Sequence, residues 1–309
     1  MPLERKCLLL IAIAVAATAT SAVAQAPSVP NLSGVWDHPS FPWFEPPASG
    51  PGPITNLSRW EQYSSDGSAP LPPGKAGVSD YNVLVGDYKN PILQPWAADV
   101  VKHFGELSVN GVTYGNPSNQ CWPFPPPFIF KQAQVAIIQQ PDRVLMIYNG
   151  DHLRRVQLNA SHSSHLTPSW YGDSVGHYEG DALVIDTVAI KTDRPYAMQD
   201  LFGTPYTDRL HMVERYRLRK YDGVKDAIER NRNENWMYQG DVWTGRRNGY
   251  FMQAEVTVED GGVFNTPYSG TLTYAARRDP ISEAVCAENP HEYYNNKLTD
   301  LPTARKPDF

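Results

Sequence analysis

Two polar stretches of the sequence contain most of the side chains that can transfer protons. They run from 162 to 181 and from 204 to 216, and they include His162, His165, Asp173, His177, Tyr206, His211 and Glu214. Histidine has an ordinary pKa close to neutral pH, so it can accept and release a proton under physiological conditions. We therefore predict acid–base chemistry, in which His211 is the general acid or base and His165 and Asp173 are its partner or second acid.

Residues 211–218, which begin inside the second stretch, are predicted to form a strand whose side chains alternate between two different faces. His211 and Arg215 fall on one face, and Glu214 falls on the other. Neither face is purely apolar, so at least one of them buries polar groups that need partners. Two interpretations follow. Glu214 and Arg154 orient the catalytic groups in a closed pocket, or Glu214 forms an ion pair with an arginine such as Arg154 that only satisfies the interior of a barrel.

Aromatic side chains near these polar groups predict a ligand with an apolar surface. Trp170 and Tyr206 are expected to stack on it, and His177 is assigned to the same binding site. A metal site is the alternative, because His162 and His165 are three residues apart, but in a loop that spacing does not bring ligands onto one face. The sequence has no nucleophile elbow, phosphate-binding loop or dinucleotide motif. We expect neither a metal nor a cofactor.

The first 26 residues have the organisation of an export signal. Arg5 and Lys6 precede an apolar run over 8–17, and small residues follow at 22–26. A membrane anchor is the alternative, but the run is too short to cross about 30 Å of hydrocarbon as a helix. We therefore predict a signal peptide over 1–26, a periplasmic or secreted protein, and no membrane span after its removal.

Removal of the signal leaves two cysteines, Cys121 and Cys286. Two thiols in an oxidising compartment pair more often than not, which predicts a disulfide. Two separately buried thiols are the alternative. Neither cysteine belongs to a CxxC motif, so nothing indicates redox catalysis.

The composition excludes several classes of protein. The chain has 309 residues, of which 41% are hydrophobic, 11% aromatic and 19% charged, and its formal net charge is −6. Disordered chains are poorer in aromatic residues and richer in charge. An acidic chain is also unsuited to a phosphate backbone, so nucleic acid is not an expected partner. The length allows one large β domain or two small domains, and the oligomeric state does not follow from the sequence.

Short β-branched and aromatic runs separated by turn residues predict an all-β fold. Many short strands joined by hairpin turns are typical of a sandwich or a barrel, and the turn at 179–181 is the clearest hairpin signal. The runs are 135–138, 143–148, 153–158, 182–187, 211–218, 251–258 and 271–276.

Two short helices and one irregular segment accompany these strands. A helix is predicted over 91–104 with a stop at Gly105, and a helical excursion is predicted near 222–235. Residues 27–90 contain the opening strand and, over about 39–73, a segment rich in proline and aromatic residues. Because proline supplies no backbone donor, this segment cannot form a helix or a central strand. We expect this segment, called the wrap below, to pack on the barrel body of 91–309 within a single domain.

The opening strand resembles that of a known fold family. Gly34-Val35-Trp36 resembles the Gly-x-Trp motif with which lipocalin-like (calycin) barrels begin. The resemblance implies an antiparallel barrel, with Trp36 closing one end and Arg277 or Arg278 stacked on it through a cation–π contact.

A longer signature resembles a large, mostly uncharacterised family of exported bacterial proteins. The stretch 165–187 is similar to the family's GDSVGHWEGDTLVVDT element, 210–216 is similar to LHVVERY, and 285–294 is similar to its CAENP ending. The sequence departs from the family at Tyr178 and Ala182, where the family has Trp and Thr, and it lacks an Asp-Gly-Arg element. The resemblance implies export, a β architecture and the cysteine pair. It supplies no reaction, and it favours a small apolar or aromatic substrate.

These observations lead to one main hypothesis and two alternatives. The main hypothesis is a cofactor-independent enzyme of lyase, hydratase or isomerase type that acts on a small apolar or aromatic metabolite in a barrel pocket. The alternatives are a non-catalytic lipocalin-type carrier and an envelope interaction protein that uses the wrap as its surface. Proton-transfer residues converging in the pocket would favour the enzyme, an apolar pocket with the histidines outside it would favour the carrier, and a filled core would favour the interaction protein.

Overall fold

A computed structural model describes residues 29–59 without 40 and 42, residues 79–234 without 151, 195 and 196, and residues 249–286 without 282. The predicted signal peptide and the chain from 287 onwards lie outside the described residues. The described strands are β1 Gly34–Asp37, β2 Gln134–Gln139, β3 Arg143–Tyr148, β4 His152–Leu158, β5 Asp173–Glu179, β6 Ala182–Val188, β7 His211–Lys220, β8 Tyr250–Glu259 and β9 Tyr268–Arg277. The α-helices are α1 Pro95–Val109 and α2 Lys225–Glu234, and short 3-10 helices span Phe128–Lys131 and Tyr221–Gly223.

The strands form one closed barrel, so the prediction of a mainly-β barrel is confirmed. Each strand pairs with its neighbour in sequence, and β9 returns to pair with β1. One detail differs from the antiparallel barrel implied by the lipocalin resemblance: β4 and β5 run parallel, with Gln157 opposite Val175 and Leu158 opposite Gly176. A parallel pairing needs a crossover connection instead of a hairpin, and the polar stretch 159–172 supplies it. The predicted runs omitted β5, although the turn at Gly180, where φ is +59°, joins it to β6 as a hairpin.

The interior of the barrel is a packed core. Side chains alternate between the two sides of a strand, and on β7 Met212, Glu214 and Tyr216 are buried while His211 and Arg215 remain partly exposed. The largest side chains that are fully buried include Trp36, Tyr148, Arg154, Tyr216, Tyr274 and Met146. The centre of the fold is therefore occupied by the protein's own side chains.

The first helix is present, but its end differs from the prediction. Pro95 occupies the first turn, as expected from its fixed φ and missing donor. Gly105 does not stop the helix, which continues to Val109. A Cβ at Gly105 would lie 3.3 Å from Cγ1 of Val85. This glycine therefore serves close packing of α1 on the segment before it, and sequence alone does not separate that role from a helix stop.

The described part of the wrap packs on the outside of the barrel, and so does α2. Glu45 pairs with Thr271 of β9 through two backbone hydrogen bonds of 2.7 and 3.0 Å. Trp43 is buried beside it. The helical excursion predicted near 222–235 is α2, and Ile228 of this helix packs in a cluster with Phe251 of β8. Among the described residues, no helix is long and apolar enough to cross a bilayer.

The predicted disulfide is present, whereas the predicted cation–π contact is not. Cys121 and Cys286 are bonded, with their Cα atoms 5.3 Å apart. Trp36 is buried and its Nε1 donates to the carbonyl of Leu32 at 2.7 Å. Arg277 is opposite Val35 in the β1–β9 register and forms an ion pair with Asp37 at 3.1 Å. Because Val35 and Trp36 point to opposite sides of β1, an arginine opposite Val35 does not reach the Trp36 ring. Arg278, the other candidate, follows the end of β9 and is exposed, whereas Trp36 is buried.

Candidate functional site

A buried ion pair joins β4 to β7 inside the barrel. Nη2 of Arg154 lies 2.7 Å from Oε1 of Glu214, and Nη1 lies 3.1 Å from Oε2. Both side chains are fully shielded from solvent. Buried charges are retained only when they are paired and hydrogen-bonded, and a bidentate contact is the strongest form of such pairing. The contact agrees with the second of the two interpretations of Glu214 given above, in which it forms an ion pair with an arginine in the interior of the barrel.

Hydroxyl groups complete the surroundings of the ion pair. Nη2 of Arg154 also donates to Oγ1 of Thr187 at 3.0 Å and to Oγ of Ser174 at 3.3 Å. The hydroxyl of Tyr216 donates to Oε2 of Glu214 at 2.6 Å. Burial, reinforced by the charge of Glu214, raises the pKa of Tyr216 well above its usual value, so the phenol remains a donor. Among the atoms of these five described side chains, Nε of Arg154 is the buried polar atom without a hydrogen-bond partner.

His211 lies on the opposite face of β7, in a cluster on the outer surface. Its Nε2 is 2.9 Å from Oδ1 of Asp186, and Nε2 of His162 is 3.1 Å from the same oxygen. Nδ1 of His162 is 2.9 Å from Oδ2 of Asp173. Burial lowers the pKa of His162, but the two aspartates outweigh it and the pKa is raised. The two carboxyl groups therefore favour the protonated form of His162 more than water would.

The structure therefore joins two of the four predicted catalytic residues and separates the others. Asp173 and His211 belong to the outer cluster, where their side chains are about a quarter and more than a third exposed. His165 is exposed outside it, with Nδ1 3.0 Å from Oγ of Ser164. Glu214 faces the interior. Within the described ranges, no group of three or more His, Cys, Asp or Glu residues has an arrangement that could hold a metal ion.

The predicted ligand-binding residues also lie apart from one another. The guanidinium of Arg194 lies 4.7 Å from the ring centre of Trp170. Tyr206 is buried and donates through its hydroxyl to the carbonyl of Lys191 at 2.8 Å. His177 is exposed on β5. These side chains do not converge on one pocket.

A cavity of about 200 Å³ lies where the wrap, the turn at 199–202, α2 and the start of β9 meet. We call it the wrap cavity. Its walls are mainly apolar and aromatic, formed by Phe41, Trp43, Phe44, Ile54, Leu201, Phe202 and Tyr268. Its polar lining includes the buried Glu45, Ser79 and Gln199. The exposed side chains of Arg59 and Arg230 also line the cavity and therefore mark its mouth.

Glu45 is a buried carboxyl group in the wall of this cavity. Its backbone pairing with Thr271 fixes its position, and its Oε1 accepts a hydrogen bond from Nδ2 of Asn231 on α2 at 3.0 Å. Burial raises the pKa of Glu45, although hydrogen bonds from Thr273 and Asn231 and the charge of Arg230 oppose the shift. The carboxyl group is therefore easier to protonate than an exposed glutamate.

Asp200 is a second carboxyl group in the same wall. Its Oδ1 accepts hydrogen bonds from the backbone amides of Phe202 at 2.8 Å and Thr204 at 3.1 Å. Burial raises the pKa of Asp200 to about 6, although these hydrogen bonds lower it. A carboxyl group with such a pKa is present in both protonation states near neutral pH, as a general acid or base requires.

Sequence reasoning missed both carboxyl groups for a physical reason. The aromatic neighbours Trp43 and Phe44 predicted that the wrap would pack on the barrel, but nothing local indicated that Glu45 would be buried with them. An aspartate followed by Phe202-Gly203-Thr204 predicts a turn in which the carboxylate accepts backbone amides. That signal finds the turn at Asp200 and not the cavity beside it.

Comparison of the chain with protein-family models, with curated proteins and with solved structures finds no match in any of the three. The family resemblances drawn from the motifs therefore stay predictions, and the functional argument rests on the geometry of the wrap cavity.

Proposed function

We propose that the protein is an exported binding protein that holds a small apolar or aromatic molecule in the wrap cavity. The observation that carries the proposal is the combination of an apolar, ring-lined wall with a few buried polar groups in a space of about 200 Å³. Ligand sites generally have this composition. Apolar cavities of about 150 Å³ are known to bind benzene, so a single-ring molecule is the expected size of ligand.

The barrel interior is the less suitable place for a ligand. Its centre is filled by the Arg154–Glu214 pair and by tyrosine side chains such as Tyr148, which are fully buried. A ligand there would have to displace a bidentate ion pair, which is costly because each charge would remain buried without its partner. The disulfide is compatible with an oxidising compartment, which supports a periplasmic or secreted location.

The binding proposal is tested with neutral single-ring probes. Toluene and indole are titrated against the mature protein, and binding is followed by ligand-observed NMR and by the rise in Tm that any ligand of the folded state causes. Ile54→Phe places a larger side chain in the cavity wall, and we expect it to abolish binding. Ile138→Phe is the matched control, because Ile138 is exposed on β2 and outside the cavity. Equal binding to wild type and Ile54→Phe would overturn the proposal.

A second candidate function is acid–base catalysis in the same cavity, and the raised pKa of Asp200 favours it. Asp200 and the buried Glu45 would supply a proton acceptor and a proton donor next to a bound ring. Metabolite extracts are incubated with wild type, Asp200→Asn and His211→Ala, and products are detected by mass spectrometry. Conversion lost in Asp200→Asn and kept in His211→Ala would support catalysis in the wrap cavity. The reverse pattern would assign the chemistry to the outer cluster, and bound ligand without conversion would leave a carrier.

A further inference from the structure

Asp200, in the wall of the wrap cavity, has accepting capacity that the protein does not use. Its Oδ1 accepts hydrogen bonds from the backbone amides of Phe202 and Thr204. A carboxylate offers about four acceptor sites on its two oxygens, and no hydrogen bond to Oδ2 is present among the described residues. The hydroxyl of Thr204 lies near the carboxyl group but forms no hydrogen bond within this part of the chain. Since Asp200 lines the cavity and keeps part of its surface accessible, Oδ2 can accept from a ligand.

The hydroxyl groups closest to this carboxylate donate to other acceptors. Burial, followed by the charge of Asp200, raises the pKa of Tyr114 and of Tyr268, so both phenols lie near it and stay protonated. The hydroxyl of Tyr114 donates to the carbonyl of Leu201, and that of Tyr268 donates to Oε1 of Gln199 at 3.3 Å. No lysine or arginine among the described residues forms an ion pair with Asp200. A further donor would therefore stabilise this buried carboxylate.

Glu45, the other carboxyl group of the cavity, is less able to accept from a ligand. It is almost completely shielded from solvent. Its Oε1 accepts from Asn231 at 3.0 Å, and Thr273 and the charge of Arg230 also stabilise its ionised form. The acceptor that a ligand can reach is therefore Asp200.

The rest of the cavity favours an uncharged ring as the carrier of that donor. The wall consists mainly of aromatic and aliphatic side chains, and removing an ammonium group from water is costly in such surroundings. Arg230 also places a positive charge at the mouth, which opposes a cationic ligand. A hydroxyl group is uncharged, and its hydrogen bond to a carboxylate is charge-assisted. A hydroxyl group on the ring therefore reaches the acceptor without bringing a charge into the cavity.

We propose that the ligand of the wrap cavity is a neutral single-ring phenol, whose hydroxyl group donates to Oδ2 of Asp200 while its ring lies against the aromatic wall. This inference rests on the proposed binding function and specifies the chemical class of the ligand. The ring supplies affinity through the burial of apolar surface. The hydroxyl group supplies selectivity among rings of similar size, because an ether oxygen only accepts and has nothing to donate to the carboxylate.

The test compares phenol with anisole, its methyl ether, which keeps the oxygen and loses the donor. Toluene and ethylbenzene have nearly the same two shapes without an oxygen, so the ratio of their affinities corrects for size. Affinities are measured by calorimetry at about pH 7.5, where Asp200 is mostly ionised because burial raises its pKa only to about 6. After the correction, we expect phenol to bind on the order of tenfold more tightly than anisole, as one charge-assisted hydrogen bond would provide.

Asp200→Asn should abolish this preference. The asparagine oxygen can accept the same two backbone amides, and the amide nitrogen then takes the place of Oδ2 and donates instead of accepting. Phenol and anisole both offer an oxygen to that donor, so their corrected affinities should become equal. Asp99→Asn is the matched control, because Asp99 is exposed on α1 and does not line the cavity.

A pH series with the wild type tests the same contact without a substitution. At about pH 4.5 Asp200 is protonated and can donate to the oxygen of either ligand, so the phenol preference should disappear. Glu45 also gains protons in this direction, while burial keeps Tyr114 and Tyr268 protonated and the arginines at the mouth keep their charge. Asp200→Asn retains all of these groups, so its corrected ratio of phenol to anisole affinity should not change with pH.

The outcomes separate the two levels of the proposal. Toluene binding together with a corrected affinity for phenol no higher than that for anisole would overturn the phenol inference and leave the binding function standing. A preference that survives in Asp200→Asn, or that Asp99→Asn reduces as much, would also overturn it, because another acceptor or the net charge would then be responsible. Tighter binding of benzylamine than of phenol would overturn it in favour of a cation. No binding of any of these probes would overturn the binding function itself.

Discussion

Replacement of Glu214 by glutamine is expected to destabilise the fold strongly, because it leaves the charge of Arg154 buried without a counter-charge. The two side chains form a bidentate contact with distances of 2.7 and 3.1 Å and have no solvent exposure. Removing one partner of a buried ion pair costs about 3–5 kcal/mol. The unfolding entropy of a chain of this size is about 0.6 kcal/mol/K, so that loss lowers Tm by roughly 5–8 °C. Chemical unfolding of the disulfide-bonded protein in urea measures the free energy, and thermal unfolding measures the shift.

Glu179→Gln is the matched control for this experiment. Glu179 forms an ion pair with Arg215 at the same distance of 2.7 Å, but its side chain is 57% exposed. The substitution and the shortest distance are the same, so the pairs differ in burial and in the second contact of 3.1 Å that Arg154 makes with Glu214. Exposed pairs contribute little because water screens them, and we expect Glu179→Gln to unfold like the wild type. If the Glu214→Gln and Glu179→Gln variants lost the same stability, the argument from burial would be refuted. Partial recovery in a double variant, Arg154→Met with Glu214→Leu, would support it further.

Three further predictions test the cavity wall, a close contact and the disulfide. The pKa of Asp200 is about 6 in the folded protein, compared with an ordinary value of 3.8 in the unfolded chain. Between pH 3.8 and about pH 6 the folded state therefore binds more protons than the unfolded state. As pH falls from about 7.5 to about 4.5, the free energy of unfolding of the wild type should therefore rise by about 1–2 kcal/mol relative to that of Asp200→Asn, as measured by urea unfolding. Gly203→Ala adds a methyl group that overlaps the ring of Phe104 at a φ of +76°, and should cost about 2–4 kcal/mol. Gly180→Ala is the control, because Gly180 also has a positive φ, of +59°, but has open space where the methyl group would lie. It should lose only the stability that a positive φ costs an alanine. If both variants lost equal stability, the overlap with Phe104 would not be the cause. Cys121→Ser removes a disulfide between residues 165 apart in sequence and should lower the free energy of unfolding by up to about 5 kcal/mol. A reductant should lower the stability of the wild type by the same amount and leave that of Cys121→Ser unchanged.

The elements of the fold were predictable because their signals are local. Alternation over 211–218 and the turn at Gly180 depend on neighbouring residues, and both match the observed strands and hairpin. Where the prediction failed, a local signal had two physical meanings. Gly105 could end a helix or let it pack closely, and only the contact with Val85 decides between them. The parallel pairing of β4 and β5 depends on the path of a crossover segment that carries no periodic pattern.

The candidate site was less predictable, because it depends on which face each residue takes and on contacts distant in sequence. His211 and Glu214 belong to one strand, but they fall on opposite faces, so one contacts Asp186 outside and the other Arg154 inside. On a regular strand, side chains three positions apart point to opposite faces, so His211 and Glu214 cannot belong to one site.

The packed barrel also explains why the ligand site is expected outside it. The interior around the Arg154–Glu214 pair is close-packed and leaves no room for a ligand. A cavity is therefore expected among elements that pack on the outside of the barrel wall. The wrap provides such an element, because the backbone pairing of Glu45 with Thr271 extends the sheet and turns neighbouring aromatic side chains towards the turn at Asp200. A binding site assembled in this way can change its lining without disturbing the core. The wrap, which looked irregular in sequence, is therefore the part of the chain where ligand specificity is expected to reside.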